Sequence, residues 1–112
     1  MTSSRRRAGT WVTDLRHFLD ASGDFPKGIP GPALALALFL GAIVAWVSSG
    51  RARSEGRTNV ACRWRSGRRR CPGEIVASFE VGGAAIVWRC PQCGDNGVTR
   101  GWEGTRWDRR AS

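Results

Sequence analysis

The chain has no tyrosine, one methionine, one histidine and a single lysine, Lys27. The lone histidine, His17, lies far upstream of the four cysteines, so a metal site built on them has only thiolates to use. Carboxylates are also scarce: nine Asp and Glu stand against eighteen Lys and Arg, a formal net charge of +9. Glu74, Glu80, Asp95 and Glu103 have no base or nucleophile at an informative spacing, and a four-cysteine site is closed to a catalytic water. The expectation is a protein that is not an enzyme. No secretory signal is evident either. Arg5, Arg6 and Arg7 are followed by mixed polar residues, and the first long apolar run starts only at Ala33. This favours the cytoplasm, where four cysteines point to metal; export would favour two disulfides instead.

What is present centres on Cys62 to Cys93, which holds all four cysteines. Cys90-Pro91-Gln92-Cys93-Gly94 reads as a tight turn whose two thiolates share a tetrahedral ion, with Gly94 relieving the backbone as it curls away. Asp95-Asn96-Gly97 then predicts a turn into a strand, whereas a redox pair of thioredoxin type would open a helix. The run resembles the knuckle of zinc-ribbon proteins. Cys62 and Cys71 depart from that pattern, because eight residues separate them where a knuckle has two to four. A hairpin or loop over Arg63 to Arg70 would bring them together. The expected ligands are therefore Cys62, Cys71, Cys90 and Cys93, and the expected cofactor is one Zn²⁺.

The positive charge is uneven. Residues 1–50 carry a net +2, residues 51–71 a net +7, and residues 72–112 none. Arg63, Arg65, Arg68, Arg69 and Arg70, with Trp64 among them, form a candidate surface for RNA or single-stranded DNA: guanidinium groups on phosphates and an indole stacked on a base. The competing reading is a solvated basic loop that offsets the charge of a tetrathiolate site. Trp88, Trp102 and Trp107 are read as packing residues of a small sheet.

Along the chain, residues 1–9 read as a disordered basic N-terminus. Residues 10–49 read as two helices. Trp11, Leu15, Phe18 and Leu19 share one face of the first, with Thr13-Asp14 as a start signal. The second follows Pro26, Pro30 and Pro32 and runs from Ala33 to Val47. Its fifteen apolar residues cover roughly 22 Å at 1.5 Å per residue, short of a hydrocarbon core near 30 Å. Leu36, Phe39, Leu40, Ile43, Trp46 and Val47 form a bulky stripe backed by small residues. That suits a helix packed on its own domain or on a protein partner, with membrane association, in bacteria at the inner membrane, as the alternative. Residues 50–58 read as a basic linker and 59–112 as the zinc-ribbon-like module. Within the module, strands are expected at Asn59–Trp64, Ile75–Glu80, Ala84–Cys90 and Val98–Trp102, the last three forming an antiparallel sheet. The fold class is thus α+β: N-terminal helices followed by a small three-stranded antiparallel sheet.

The C-terminal Gly101-Trp102-Glu103-Gly104-Thr105-Arg106-Trp107-Asp108 is dense in Gly and Trp. With the knuckle, it resembles a group of short uncharacterised bacterial proteins that carry a Cys-Pro-x-Cys-Gly-Asp-x-Gly knuckle and a Gly-Trp-x-Gly-Thr-x-Trp-Asp tail. The resemblance extends to Arg16-His17-Phe18-Leu19-Asp20 and Pro30-Gly31-Pro32. It implies that the segment matching Ala33 to Val47 derives from an amphipathic soluble helix whose charges are missing here. It carries no activity with it.

Overall fold

A computed structural model describes residues 9–51 and 56–110. The expectation for residues 1–9 therefore falls, apart from Gly9, outside the described residues, as do residues 52–55 of the expected linker. Among the described residues, seven strands and one α-helix occur in the order β1 (Trp11–Asp14), α1 (Gly31–Trp46), β2 (Gly56–Ala61), β3 (Arg65–Ser66), β4 (Arg69–Arg70), β5 (Glu74–Phe79), β6 (Ile86–Arg89) and β7 (Asn96–Arg100). Five of the strands make one sheet in the order β1-β7-β6-β5-β2, and β3 and β4 pair separately. The fold is α+β as expected, with two corrections: the helix lies mid-chain, and the main sheet has five strands where three were expected. All its pairings are antiparallel except β1 with β7.

The first expected helix is instead a strand that runs into a single 3-10 turn, Leu15–Phe18. Trp11-Val12-Thr13 is aromatic and β-branched, and it pairs in register with Gly97, Val98 and Thr99. The start signal is real but serves a shorter element. Asp14 Oδ1 accepts the Arg16 N–H at 2.9 Å. Leu15 drops into the core at that turn. Leu19 is already extended, and Asp20 Oδ1 then accepts the N–H groups of Ser22 and Asp24. Such side-chain bonds compete with a helical backbone, which is why the segment stops after one turn.

Alternation along the central strands makes one face of the sheet apolar. Ile75 and Ala77 on β5, Ile86 and Trp88 on β6, and Gly97 and Thr99 on β7 all point inward and are buried. Helix α1 covers this face. Pro32 sits in its first turn, where a missing N–H costs nothing. Ala37, Leu40, Gly41, Ile43, Val44 and Val47 are buried, and Leu36, Phe39 and Trp46 pack against the same core. The bulky stripe thus faces the protein, while Ala35, Leu38 and Ala42 face outward. Phe39 meets Trp88 edge-on at 5.4 Å between ring centroids. The helical path continues past Trp46 as a wider turn, Val47–Arg51, which Gly50 ends at φ 86°.

The C-terminal tail closes the core from the side. Trp102 is buried and donates its indole N–H to the Ala84 carbonyl at 2.8 Å. Trp107 seats against Gly41, where a Cβ would overlap its ring. Ser48 Oγ accepts the Arg109 N–H at 2.9 Å, which ties the end of the helix to the tail. Asp108 holds the intervening turn by accepting the Gly104 N–H at 2.8 Å. Trp88, Trp102 and Trp107 are therefore packing residues, and the Gly-Trp spacing of the tail is the spacing of two plugs.

The close approach of helix and tail can be tested. Gly41→Val should displace the Trp107 ring and cost on the order of 1–3 kcal/mol as an overpacked core, despite the better helix propensity of valine. A thermal melt with unchanged midpoint would show that the indole does not depend on this close approach.

Candidate metal centre

Strand β2 delivers Cys62, and its exit is fixed by the Cys62 N–H on the Gly73 carbonyl at 3.0 Å. The chain then leaves and returns. The Cys71 N–H bonds the Trp64 carbonyl at 2.8 Å, and beyond it Arg65 pairs with Arg70 and Ser66 with Arg69. A two-residue turn with Gly67 at φ 63° closes this hairpin. The eight-residue separation of Cys62 and Cys71 is thus taken up by an inserted β-hairpin. Each of these cysteines also has the local geometry of a knuckle, since the N–H groups of Trp64 and Gly73 point at the Cys62 and Cys71 sulfurs, both at 3.4 Å.

The second pair is held by the turn between β6 and β7. The Cys90 N–H bonds the Asp95 carbonyl at 2.7 Å and the Gly94 N–H bonds the Cys90 carbonyl at 2.8 Å, with Gly94 at φ 85°. Gly73 comes from the first pair and lies against the second: a Cβ there would collide with the Cys90 sulfur and Gln92. Its lack of a side chain lets the two halves close.

All four sulfurs lie within 4.8 Å of one another. Cys62 and Cys93 are separated by 3.8 Å and Cys71 and Cys90 by 3.7 Å, sulfur to sulfur. A regular tetrahedron with a metal–sulfur bond of about 2.3 Å has edges of about 3.8 Å, so this set can hold a tetrahedral metal ion. Cys62 and Cys90 are buried, and Cys71 and Cys93 are half-buried.

The thiols are electrostatically unequal. Burial pushes Cys62 far above the ordinary thiol value, against the Trp64 N–H. Burial likewise raises Cys93, against the Asp95 N–H. At Cys90 burial pushes the same way, but the N–H groups of Cys93 and Gln92 and the thiols of Cys71 and Cys62 outweigh it and leave the group below the ordinary value. A cation entering this set would displace the protons that the thiols carry.

The candidate nucleic-acid residues divide into two groups. Arg65, Arg68, Arg69 and Arg70 are exposed along the hairpin. Among the described residues none of them forms an ion pair with a carboxylate. Arg63 and Trp64 lie at its base instead: Arg63 sits over the Phe39 ring, 5.7 Å from the centroid, and Trp64 is half-buried against the core. Here they line a cavity of about 220 Å³ together with Arg65 from the start of the hairpin and with Trp11, Phe39, Trp88 and Asp95. Nothing in the sequence pattern marks Trp11, Phe39 or Asp95 as neighbours of the hairpin, since they come from β1, α1 and the second knuckle. Comparison with family profiles, curated proteins and solved structures finds no match to this chain.

Reconstitution should give about one metal ion per chain, with affinity falling as pH is lowered because protons compete for the same four sulfurs. Replacing Cys90 by Ser should remove most of the bound metal. Full retention of metal by both the Cys62→Ser and Cys90→Ser variants would mean that the ion is held elsewhere.

Proposed function

We propose that this chain is a non-enzymatic, zinc-binding module of zinc-ribbon type that grips RNA or single-stranded DNA through the hairpin inserted between Cys62 and Cys71. Zinc is the metal of choice because four thiolates in a closed tetrahedral set suit a structural ion without redox chemistry. The observation that carries the nucleic-acid reading is the hairpin itself. It projects Arg65, Arg68, Arg69 and Arg70 into solvent, and no carboxylate among the described residues neutralises them. Here β3 and β4 carry them along a two-stranded ribbon, a shape able to follow a phosphate backbone. The working place of such a module is the cytoplasm.

A second reading has its own support. The helical path Gly31–Gly50 spans 20 residues, is apolar enough to cross a membrane, and has only 39% of its most apolar stretch buried within the protein. Leu38, 50% exposed, lies on the outward side with Ala35 and Ala42. That side suits a protein partner or a bilayer. Leu38→Lys should release the protein from such a partner and leave nucleic-acid binding unchanged.

Salt dependence tests the first reading. Replacing Arg65, Arg68 and Arg69 by Gln should lower the slope of log K against log salt by about 0.7 for each phosphate no longer gripped on a single strand. The hairpin is ruled out if metal-loaded wild type and variant bind with the same affinity and the same slope.

A further inference from the structure

We infer that the 220 Å³ cavity at the base of the arginine hairpin receives one unstacked nucleobase, guanine best, from the strand whose phosphates lie on the hairpin. This deepens the nucleic-acid reading and rests on it. The cavity is smaller than the roughly 300–1,000 Å³ of pockets for drug-sized ligands, so a single ring system suits it better than a peptide segment or a whole nucleotide. Its walls are π-faces and edges: Trp11 from β1, Phe39 from α1, Trp64 from the hairpin base and Trp88 from β6. Single-stranded nucleic acid is held by such surfaces, on which splayed bases stack whatever their sequence.

Charge decides between the two ligands that an aromatic cage commonly takes. A quaternary ammonium or methylated lysine would meet Arg63 and Arg65, which also line the cavity, and Arg63 already occupies the Phe39 face. A nucleotide is attracted instead, its base entering the cavity and its phosphate remaining with the guanidinium groups. Trp64 also borders an open groove that runs from Ser66, Arg69 and Arg70 to Cys71 and Cys93, so its indole stands between the basic ribbon and the cavity.

Asp95 supplies the selectivity. It is 4% exposed, lines the cavity, and is oriented by the Trp11 indole N–H on its Oδ1 at 3.2 Å. A carboxylate accepts several hydrogen bonds and donates none when ionised. Guanine offers two adjacent N–H donor groups on its Watson–Crick edge, while uracil flanks its single N–H with two carbonyl oxygens that a carboxylate repels. The expected order therefore starts with guanine and ends with uracil.

The cavity also depends on the metal centre. Trp64 lies two residues after Cys62 and Asp95 two after Cys93, so closing the four sulfurs brings the stacking wall and the acceptor together.

The test compares a short abasic phosphodiester strand with the same strand carrying one central guanine or one central uracil, each titrated against the metal-loaded full chain. One guanine should raise affinity by about 5- to 150-fold at an unchanged salt slope, and uracil by much less. Trp11→Ala should abolish the gain; this residue is 58% exposed on an edge strand and far from the hairpin in sequence, so folding and phosphate binding should survive. Asp95→Asn should keep stacking and level the difference between guanine and uracil. Binding of the abasic strand as tightly as the guanine strand overturns the inference and leaves the hairpin reading standing. So does a guanine gain that persists in Trp11→Ala. Failure of every strand to bind overturns both.

Discussion

The structure depends on bringing four sulfurs from two distant stretches to within 4.8 Å of one another. Left as neighbouring thiols, they gain only weak hydrogen bonds; a shared cation would turn that proximity into a bond network linking β2, the hairpin base and the β6–β7 turn. The sheet is organised around the same point. β2 and β5 meet at its edge, β6 and β7 flank the second knuckle, and β1 adds to β7 beside Asp95. Gly73 shows how tight the closure is: the backbone of one half passes where a side chain would strike a sulfur of the other.

A second constraint is the one-sided core. Five strands with a single covering helix leave little room for a core, and large rings fill it. Trp88 takes the centre of the sheet, Trp102 one end, and Trp107 the space opened by Gly41. Each ring occupies volume that would otherwise need several aliphatic side chains, which is how so short a chain closes over an α/β interface. The same economy leaves the margin between α1, β1 and the hairpin incompletely filled. The cavity lies there.

Much of this was legible along the chain. The knuckle at Cys90, the turn at Ser66-Gly67, the central strands and the helix after Pro32 each follow from local rules of spacing, turn chemistry and propensity, and each is where it was expected to within a few residues. Trp11 to Leu19 misled because its apolar positions fit a helical face while its strand character shows only when β7 is beside it. Parallel pairing of residues 86 positions apart, Trp11 with Gly97, has no local signal. β2 was displaced for a similar reason. Its bulge, with Asn59 at φ 63°, is held by Glu74, which accepts Arg57 on one carboxylate oxygen and the Asn59 N–H on the other. Glu74 sits below the ordinary carboxylate range chiefly because of that Arg57 bond.

The arginine-rich stretch shows how far charge read from sequence can go. Counting places a net +7 in residues 51–71, but counting cannot separate residues that share a composition. The fold separates them. Arg57 is committed to Glu74 and stiffens the edge of the sheet. Arg63 is laid on Phe39, Arg65 reaches the rim of the cavity, and Arg68 to Arg70 stand on the ribbon. One run of basic residues thus divides among a structural bond, a cavity wall and an exposed ribbon. Each place is fixed by distance from the two cysteines that enclose the hairpin, so the closure of the four sulfurs also sets the direction of the positive field.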